Sequence, residues 1–132
     1  MLNRLRAEDS MFQEVLKDVV DRTEGAIASV VMGYDGITVD SYVDPDAGVP
    51  FEVETIGMEY SVILKDIRRA AELLEAGSAR EVAIQAERLT TVIRLINDEY
   101  FVALAIKPGG NYGKARFLLR TCVGKLAADL TV

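Results

Sequence analysis

A glycine-rich segment near the end of the chain has the spacing closest to a known chemical motif; it is Lys107-Pro108-Gly109-Gly110-Asn111-Tyr112-Gly113-Lys114-Ala115. A glycine-rich turn between a strand and a helix is where P-loops hold phosphates on backbone amides. This spacing departs from that motif, because three residues instead of four separate Gly109 from Gly113-Lys114. Ala115 also lacks the hydroxyl that would hold magnesium. We therefore predict a turn and a helix start here, with no bound nucleotide.

Other side chains with catalytic or metal-binding chemistry are scarce. The sequence has no histidine, which removes the usual general base near neutral pH and the commonest zinc ligand. Asp35 and the cluster Asp40, Asp44 and Asp46 lack the fixed steps and closing glutamate of a calcium loop, so we interpret them as solvated acids. Cys122 falls on an apolar helical stripe, where a thiol behaves as a small hydrophobe. We predict no cofactor, no metal and no active site of the chain's own.

Composition and charge exclude several classes of partner. The chain has 132 residues, 50% hydrophobic and 27% charged, which predicts one ordered domain over residues 1–132 with residues 1–9 flexible. Its net charge of -6 repels phosphate backbones and anionic lipid headgroups, so nucleic acid is not an expected partner. The first nine residues lack the apolar core of a signal peptide, and no apolar run approaches the roughly 20 residues of a membrane span. We expect a cytoplasmic protein without membrane insertion.

Hydrophobic periodicity and turn residues predict the element pattern α-β-β-α-β-β-β-α. Ser10 can cap the first helix, and Gly33-Tyr34-Asp35-Gly36 has the turn chemistry of a hairpin. Short links make the last three strands antiparallel neighbours. The predicted fold class is therefore α/β (α+β), with a five-stranded antiparallel sheet and helices on both faces. The predicted elements are a helix over 11–22, strands over 26–32 and 37–42, a helix over 52–76, strands over 81–86, 89–96 and 100–106, and a last helix that opens at Asn111.

The helix over 52–76 has more than one apolar face. A broad face that can cover a sheet contains Ile56, Tyr60, Ile63, Leu64, Ile67, Ala70, Ala71 and Leu74. The solvated side opposite contains Ser61, Lys65, Arg68 and Glu72. A flank between them contains Thr55, Met58, Val62 and Leu73. These flank residues either contact a loop or remain singly exposed, or they pack against the same helix of a second copy, which we favour. The strand over 81–86 follows directly, and as a sheet edge it could pair across the same two-fold axis.

From Phe12 to Leu130 the chain resembles the Roadblock family, which includes dynein light chains and bacterial polarity proteins that regulate a Ras-like GTPase, among them the MglB type. The resemblance lies in the element order, in the hairpin over 31–39 with its Asp35-Gly36 turn, and in the segment over 111–116 that opens the last helix. It implies a profilin-like sheet in the order 2-1-5-4-3 and a dimer built on the second helix and third strand. The interface residues predicted on that basis are Thr55, Met58, Val62, Asp66, Arg69, Leu73, Val82 and Ile84. The loop over 44–50 is longer and more acidic than the minimal family loop, so the partner's identity is not implied.

The resemblance implies a non-catalytic homodimeric adaptor that binds a Ras-like small GTPase, a sister Roadblock protein or another polarity protein, in cell polarity or motility. The alternative is a GTPase-activating protein that uses the same dimer to stimulate hydrolysis by its partner. Such proteins can donate an arginine to the transferred phosphate. The conceivable donors are Arg68, Arg69, Arg88 and Arg94, and the sequence distinguishes none of them. An independent enzyme would need a nucleophile and a base that the sequence does not offer.

Overall fold

The computed structural model of the chain describes residues 2–48 and 52–130, with side chains from residue 12. Three helices and five strands lie within these residues: α1 (Leu2–Arg22), β1 (Ala26–Gly33), β2 (Thr38–Val43), α2 (Val53–Leu73), β3 (Glu81–Gln85), β4 (Thr90–Leu95), β5 (Tyr100–Ile106) and α3 (Tyr112–Leu130). The strands form one antiparallel sheet in the order β2-β1-β5-β4-β3. Both the predicted element pattern and the predicted sheet order are confirmed.

The predicted start of α1 is wrong. The helix begins at Leu2, well before the predicted cap at Ser10. The segment over 2–9 contains no glycine or proline, and most of its residues, such as Leu5 and Glu8, have high helix propensity. A capping residue can therefore lie inside a helix when nothing before it breaks the helical backbone.

The end of α2 differs from the prediction by three residues. Glu75 has φ +55°, the left-handed conformation, and Gly77 has φ +86°. The amide of Glu75 donates to Glu72 O, and the amide of Ala76 donates to Ala71 O. This is the double hydrogen bond of a Schellman end, which satisfies the last carbonyls of a helix. The helix therefore ends at Leu73, before the predicted limit at residue 76.

Two apolar cores lie on opposite faces of the sheet. The first lies between the sheet and the pair α1 and α3, and it includes the fully buried Leu16 and Leu119. The second lies between the sheet and α2, and it includes Leu64 and Phe101. Each leucine contributes on the order of 1.5–3 kcal/mol by leaving water. The central strands β1 and β5 are buried along almost their whole length because both of their faces are covered, so β2 and β3 are the two edges.

Small residues on one side of α2 allow the helix to lie close to the sheet. A Cβ at Gly57 would lie 2.8 Å from Met32 Cε and 3.5 Å from Val30 Cγ1, both on β1. Ser41 of β2 donates a hydrogen bond of 2.7 Å to Glu54 Oε1 at the start of the helix. The helix packs mainly on β1 and β2. Consequently β3, at the far edge, is only partly covered on this face.

Candidate interaction surfaces

The outward face of α2 carries an exposed apolar stripe, which we call the α2 stripe. Its members on the helix and its C-cap, exposed by 51% to 78%, are Met58, Val62, Ile63, Leu73 and Leu74. The helical period places the stripe opposite Gly57 and Leu64, which are buried against the sheet. Apolar patches of this kind mark interaction sites on soluble proteins.

The predicted division of α2 into faces is partly wrong. Ser61, assigned to the solvated side, is only 3% exposed and donates to Met58 O. Ile63, Ala70 and Leu74, assigned to the sheet face, are exposed. The large apolar residues dominate the hydrophobic periodicity of α2. The helix nevertheless packs on the sheet through its small residues, which permit a close approach to β1. The stripe that was predicted on a flank is therefore the centre of the outward face.

The two sides of α2 face different turns of the sheet. Arg68, which was also predicted to be solvated, lies with its guanidinium 4.3 Å from the ring centroid of Tyr34 in the β1–β2 turn. The Tyr34 hydroxyl donates to a backbone carbonyl of the β4–β5 turn at 3.0 Å. Burial raises the pKa of Tyr34 to about 12, so the phenol stays protonated and keeps this donor. On the other side of the helix, Tyr60 lines an open groove of ≈ 450 Å³ with the β3–β4 turn, residues 86–89.

The backbone of β3 is open on the side away from β4. The bonds at its two ends show which residues face β4: the amide of Leu95 donates to Arg80 O, and the amide of Ala86 donates to Leu89 O. Antiparallel ladders alternate between residues that bond to the neighbouring strand and residues that point away from it. Since the residues with even numbers bond to β4, those with odd numbers direct their N–H and C=O groups outward. They are Glu81, Ala83 and Gln85.

The β2 edge is closed at its centre by side chains, an arrangement that we call the β2 lock. Gln13 of α1 donates through Nε2 to Ser41 O and to Asp40 Oδ1, both at 2.6 Å. The amide of Ser41 donates to Asp40 Oδ1 at 2.8 Å. Both backbone groups of Ser41 are therefore bonded within the chain, and an added strand would have to displace them.

Solved structures of similar chains decide the family. The crystal structure of MglC from Myxococcus xanthus is 39% identical to this chain, covers 91% of it and 99% of its own length, and has a TM-score of 0.66. The chain belongs to the Roadblock family. It lies in the branch that contains MglB and MglC. No protein-family model and no curated protein matches the chain, so the family is shown by the solved structures.

More distant Roadblock structures share the fold. MglB from Thermus thermophilus is 19% identical, covers 93% of this chain and 90% of its own, and superposes with a TM-score of 0.83. A Roadblock/LC7 domain from Streptomyces avermitilis is 14% identical, covers 89% and 96%, and gives 0.75. Backbone geometry is therefore retained where sequence identity is low.

The residues predicted as the Roadblock interface fall into two groups. Six of them, Thr55, Met58, Val62, Asp66, Arg69 and Leu73, are exposed on the outward side of α2. Val82 and Ile84 are half-buried on β3 and pack beside the α2 core. Sequence reasoning placed Ile63 and Leu74 on the sheet face, although both are exposed, because their exposure depends on how α2 packs on the sheet. It also missed Gln13, because the β2 lock joins residues 27 positions apart and no local pattern indicates it.

The arginines that could act on a partner's phosphate differ in their contacts. Arg68 lies 3.2 Å from Asp98 Oδ1, and Arg94 lies 3.7 Å from Glu81 Oε1. The other two are exposed: Arg69 on α2, 3.6 Å from Asp66, and Arg88 in the β3–β4 turn.

The structure also shows where the glycine-rich segment and Cys122 lie. The glycine-rich segment is a turn before α3, where Gly109 has φ +85°. Cys122 is buried on α3, as the apolar stripe predicted, and burial raises the pKa of its thiol to about 11. Within residues 2–48 and 52–130, no cluster of three or more acidic or cysteine side chains could hold a metal ion. No helix in these same ranges has the length and apolarity to cross a membrane.

Proposed function

We propose that this Roadblock protein is a homodimeric adaptor without catalytic chemistry of its own. The observation that carries the proposal is the α2 stripe beside the open β3 edge. Each large apolar residue of the stripe is at least 51% exposed, and leaving such residues in water is costly. An unpaired strand edge is in turn a template for another strand. A two-fold axis near both features would cover them with the same features of a second copy.

The interface of this proposed dimer uses the predicted residues. On α2 these are Thr55, Met58, Val62, Asp66, Arg69 and Leu73, and on β3 they are Val82 and Ile84. The β3 backbone allows a self-complementary register, because an axis at Ala83 places this residue opposite its own copy. The same axis places Glu81 opposite Gln85 of the second copy. All three are the outward-facing residues, so their amides and carbonyls can form hydrogen-bonded pairs.

Charge introduced at the centre of the α2 stripe tests the dimer. Val62 is 64% exposed, so Val62→Arg should leave the monomer fold intact, while in the dimer it places two like charges against each other. We expect a shift from dimer to monomer by light scattering at micromolar concentration. Phe117→Arg is the matched control, since Phe117 is 46% exposed on α3, on the other face of the sheet, and should leave the mass unchanged. A wild-type monomer at this concentration would sink the proposal.

The proposed partner is a Ras-like small GTPase, a sister Roadblock protein or both, in a cytoplasmic polarity or motility system. Membership of the MglB and MglC branch supports this assignment. One MglB structure, 19% identical to this chain, has a tetrameric arrangement, which supports self-association as a property to test here. The paired α2 helices would provide a composite surface that neither copy has alone.

Phosphate release separates the adaptor from its alternative, a GTPase-activating protein. The release rate of a candidate Ras-like GTPase is measured with and without this protein and with the Val62→Arg variant. An adaptor binds the GTPase and leaves the rate unchanged. Acceleration by the wild type, lost in the Val62→Arg variant, would assign the activating function. In that case Arg69→Ala and Arg88→Ala would test whether either exposed arginine contributes.

A further inference from the structure

The β2 edge carries an exposed apolar strip that dimerisation through α2 and β3 does not use. Ile37 is 67% exposed, Val39 is 37% exposed and Val43 is 49% exposed. They lie along the β1–β2 turn and β2, the opposite edge of the sheet from β3. We call these three residues the β2 strip. Three β-branched residues exposed in sequence along one edge form a surface suited to a partner's apolar side chains.

Charge is segregated toward this same part of the molecule. The chain has 15 lysines and arginines, yet between Arg22 and Lys65 there are none, against eight aspartates and glutamates. Six of those eight acids lie on the β1–β2 turn, β2, the connection that follows it or the first turn of α2. A surface with one sign of charge around an apolar centre attracts a partner of opposite sign and raises its association rate.

The basic side chain of α1 that lies beside β2 is already paired within its own helix. Lys17 reaches toward β2, where its ammonium lies 5.7 Å from the centroid of the Tyr42 ring. The same ammonium is bonded to the carboxylate of Asp21, which raises the pKa of Lys17. Its charge is therefore balanced mainly within α1, with a weaker attraction to Asp44, and the acids around the strip remain in excess.

The β2 lock restricts how a partner can bind. Because Gln13 and Asp40 occupy both backbone groups of Ser41, the centre of the edge has no free donor or acceptor for an incoming strand. The loss of these central hydrogen bonds favours a partner that contacts the strip through side chains. A helix does this with its own backbone already hydrogen-bonded. A second copy of this chain is disfavoured, since its own β2 edge is locked in the same way and is equally acidic.

We propose that the β2 strip is a second docking surface, which binds an amphipathic helix of another protein whose apolar face is bordered by lysine or arginine. The β2 strip shares no residue with the α2 stripe, although the β1–β2 turn at Gly36 lies beside Met58 of that stripe. The proposal does not depend on the dimer, and its test uses residues outside the dimer interface.

The test uses a labelled helical peptide of leucine and lysine, about 18 residues or five turns long. A peptide of the same pattern with glutamate in place of lysine is the charge control. Fluorescence anisotropy with the wild-type chain should show binding of the lysine peptide only, weakening as salt rises because the attraction is screened. The double variant Ile37→Ser/Val43→Ser should lose about tenfold or more in affinity, since apolar anchors dominate such contacts.

Matched variants locate the binding. Asp46→Lys/Glu52→Lys changes two exposed acids near the strip and should weaken binding and flatten its salt dependence. Asp129→Lys and Phe117→Ser alter an exposed acid and an exposed apolar residue of α3 and should leave the affinity unchanged.

Equal binding by all variants, binding of the glutamate peptide, or no binding of the lysine peptide at low salt would overturn the proposal. Light scattering on the Ile37→Ser/Val43→Ser protein reports the dimer separately, so failure of docking and failure of pairing are distinguishable.

Discussion

The two edges of the sheet face the same physical problem and have opposite structures. An edge strand exposes unpaired backbone groups that can capture another strand. On β2, the side chains of Gln13 and Asp40 bond to both backbone groups of Ser41. On β3, the outward groups of Glu81, Ala83 and Gln85 have no comparable side-chain cover among the described residues. The direction in which this Roadblock domain can extend its sheet is therefore set by which edge its own helices reach.

The positions of the helices explain why the β2 edge is covered and the β3 edge is not. α1 packs against β1 and β2, and the side chain of Gln13 reaches the β2 edge from this helix. α3 contacts β4 and β5, and its link to β3 is the ion pair of Arg116 with Glu81 at 2.7 Å. That pair holds a side chain of β3 and leaves its backbone free. Edge protection is thus a consequence of helix placement as well as of strand composition.

The largest effect is expected when the open edge loses its outward donor. Proline at an edge strand is tolerated where its missing N–H faced solvent, and the amide of Ala83 faces outward. Ala83→Pro should therefore leave the ladder to β4 intact and weaken self-association by roughly 100-fold or more, because it removes the central hydrogen bonds and clashes with the facing strand. Sedimentation equilibrium measures the change.

A matched substitution keeps the donor at this position. Ala83→Thr retains the N–H and has high strand propensity, so it should remain dimeric. Circular dichroism checks that both variants are folded. A folded Ala83→Pro protein that dimerises as tightly as the wild type would show that β3 does not pair and that α2 alone holds the dimer.

A smaller effect is expected when the closed edge is opened. Gln13→Ala/Asp40→Ala removes the β2 lock and frees both backbone groups of Ser41, so each protomer then has two open edges. Replacing half-buried hydrogen bonds costs about 0.5–1.5 kcal/mol each, which the fold should survive. We expect species larger than the dimer that grow with concentration in light scattering.

The control for this variant separates charge from hydrogen bonding. Asp40→Asn retains Oδ1 as an acceptor while removing the negative charge. It should keep the lock and the wild-type mass. Growth of Asp40→Asn into larger species would mean that charge, and not occupation of the Ser41 backbone, keeps the β2 edge unpaired.

The sequence predicted most of the fold and only part of the surfaces. Element order and the five-stranded sheet follow from periodicity and turn residues, which are local signals, and the sheet order followed from the family resemblance. The faces of α2 were partly misassigned because the helix approaches β1 at Gly57 and the β1–β2 turn at Ser61, small residues that hydrophobic periodicity does not score. The β2 lock could not be predicted, since it depends on the tertiary position of Gln13 relative to Ser41.

The smallest expected effect is no change at all, at a site remote from both edges. Cys122 is the single cysteine, and burial raises the pKa of its thiol to about 11. At pH 8 the reactive thiolate is therefore scarcer than in the unfolded chain by roughly two orders of magnitude, and labelling by a disulfide reagent should be slow and should accelerate as the pH rises toward 11. The sign follows from burial, which disfavours the charged form.

Ala83→Pro and Gln13→Ala/Asp40→Ala should both label at the wild-type rate, because each changes one edge without loosening the core around α3. Faster labelling in either variant would mean that its change in mass reflects partial unfolding, and the contrast between the two edges would then rest on the other variant alone.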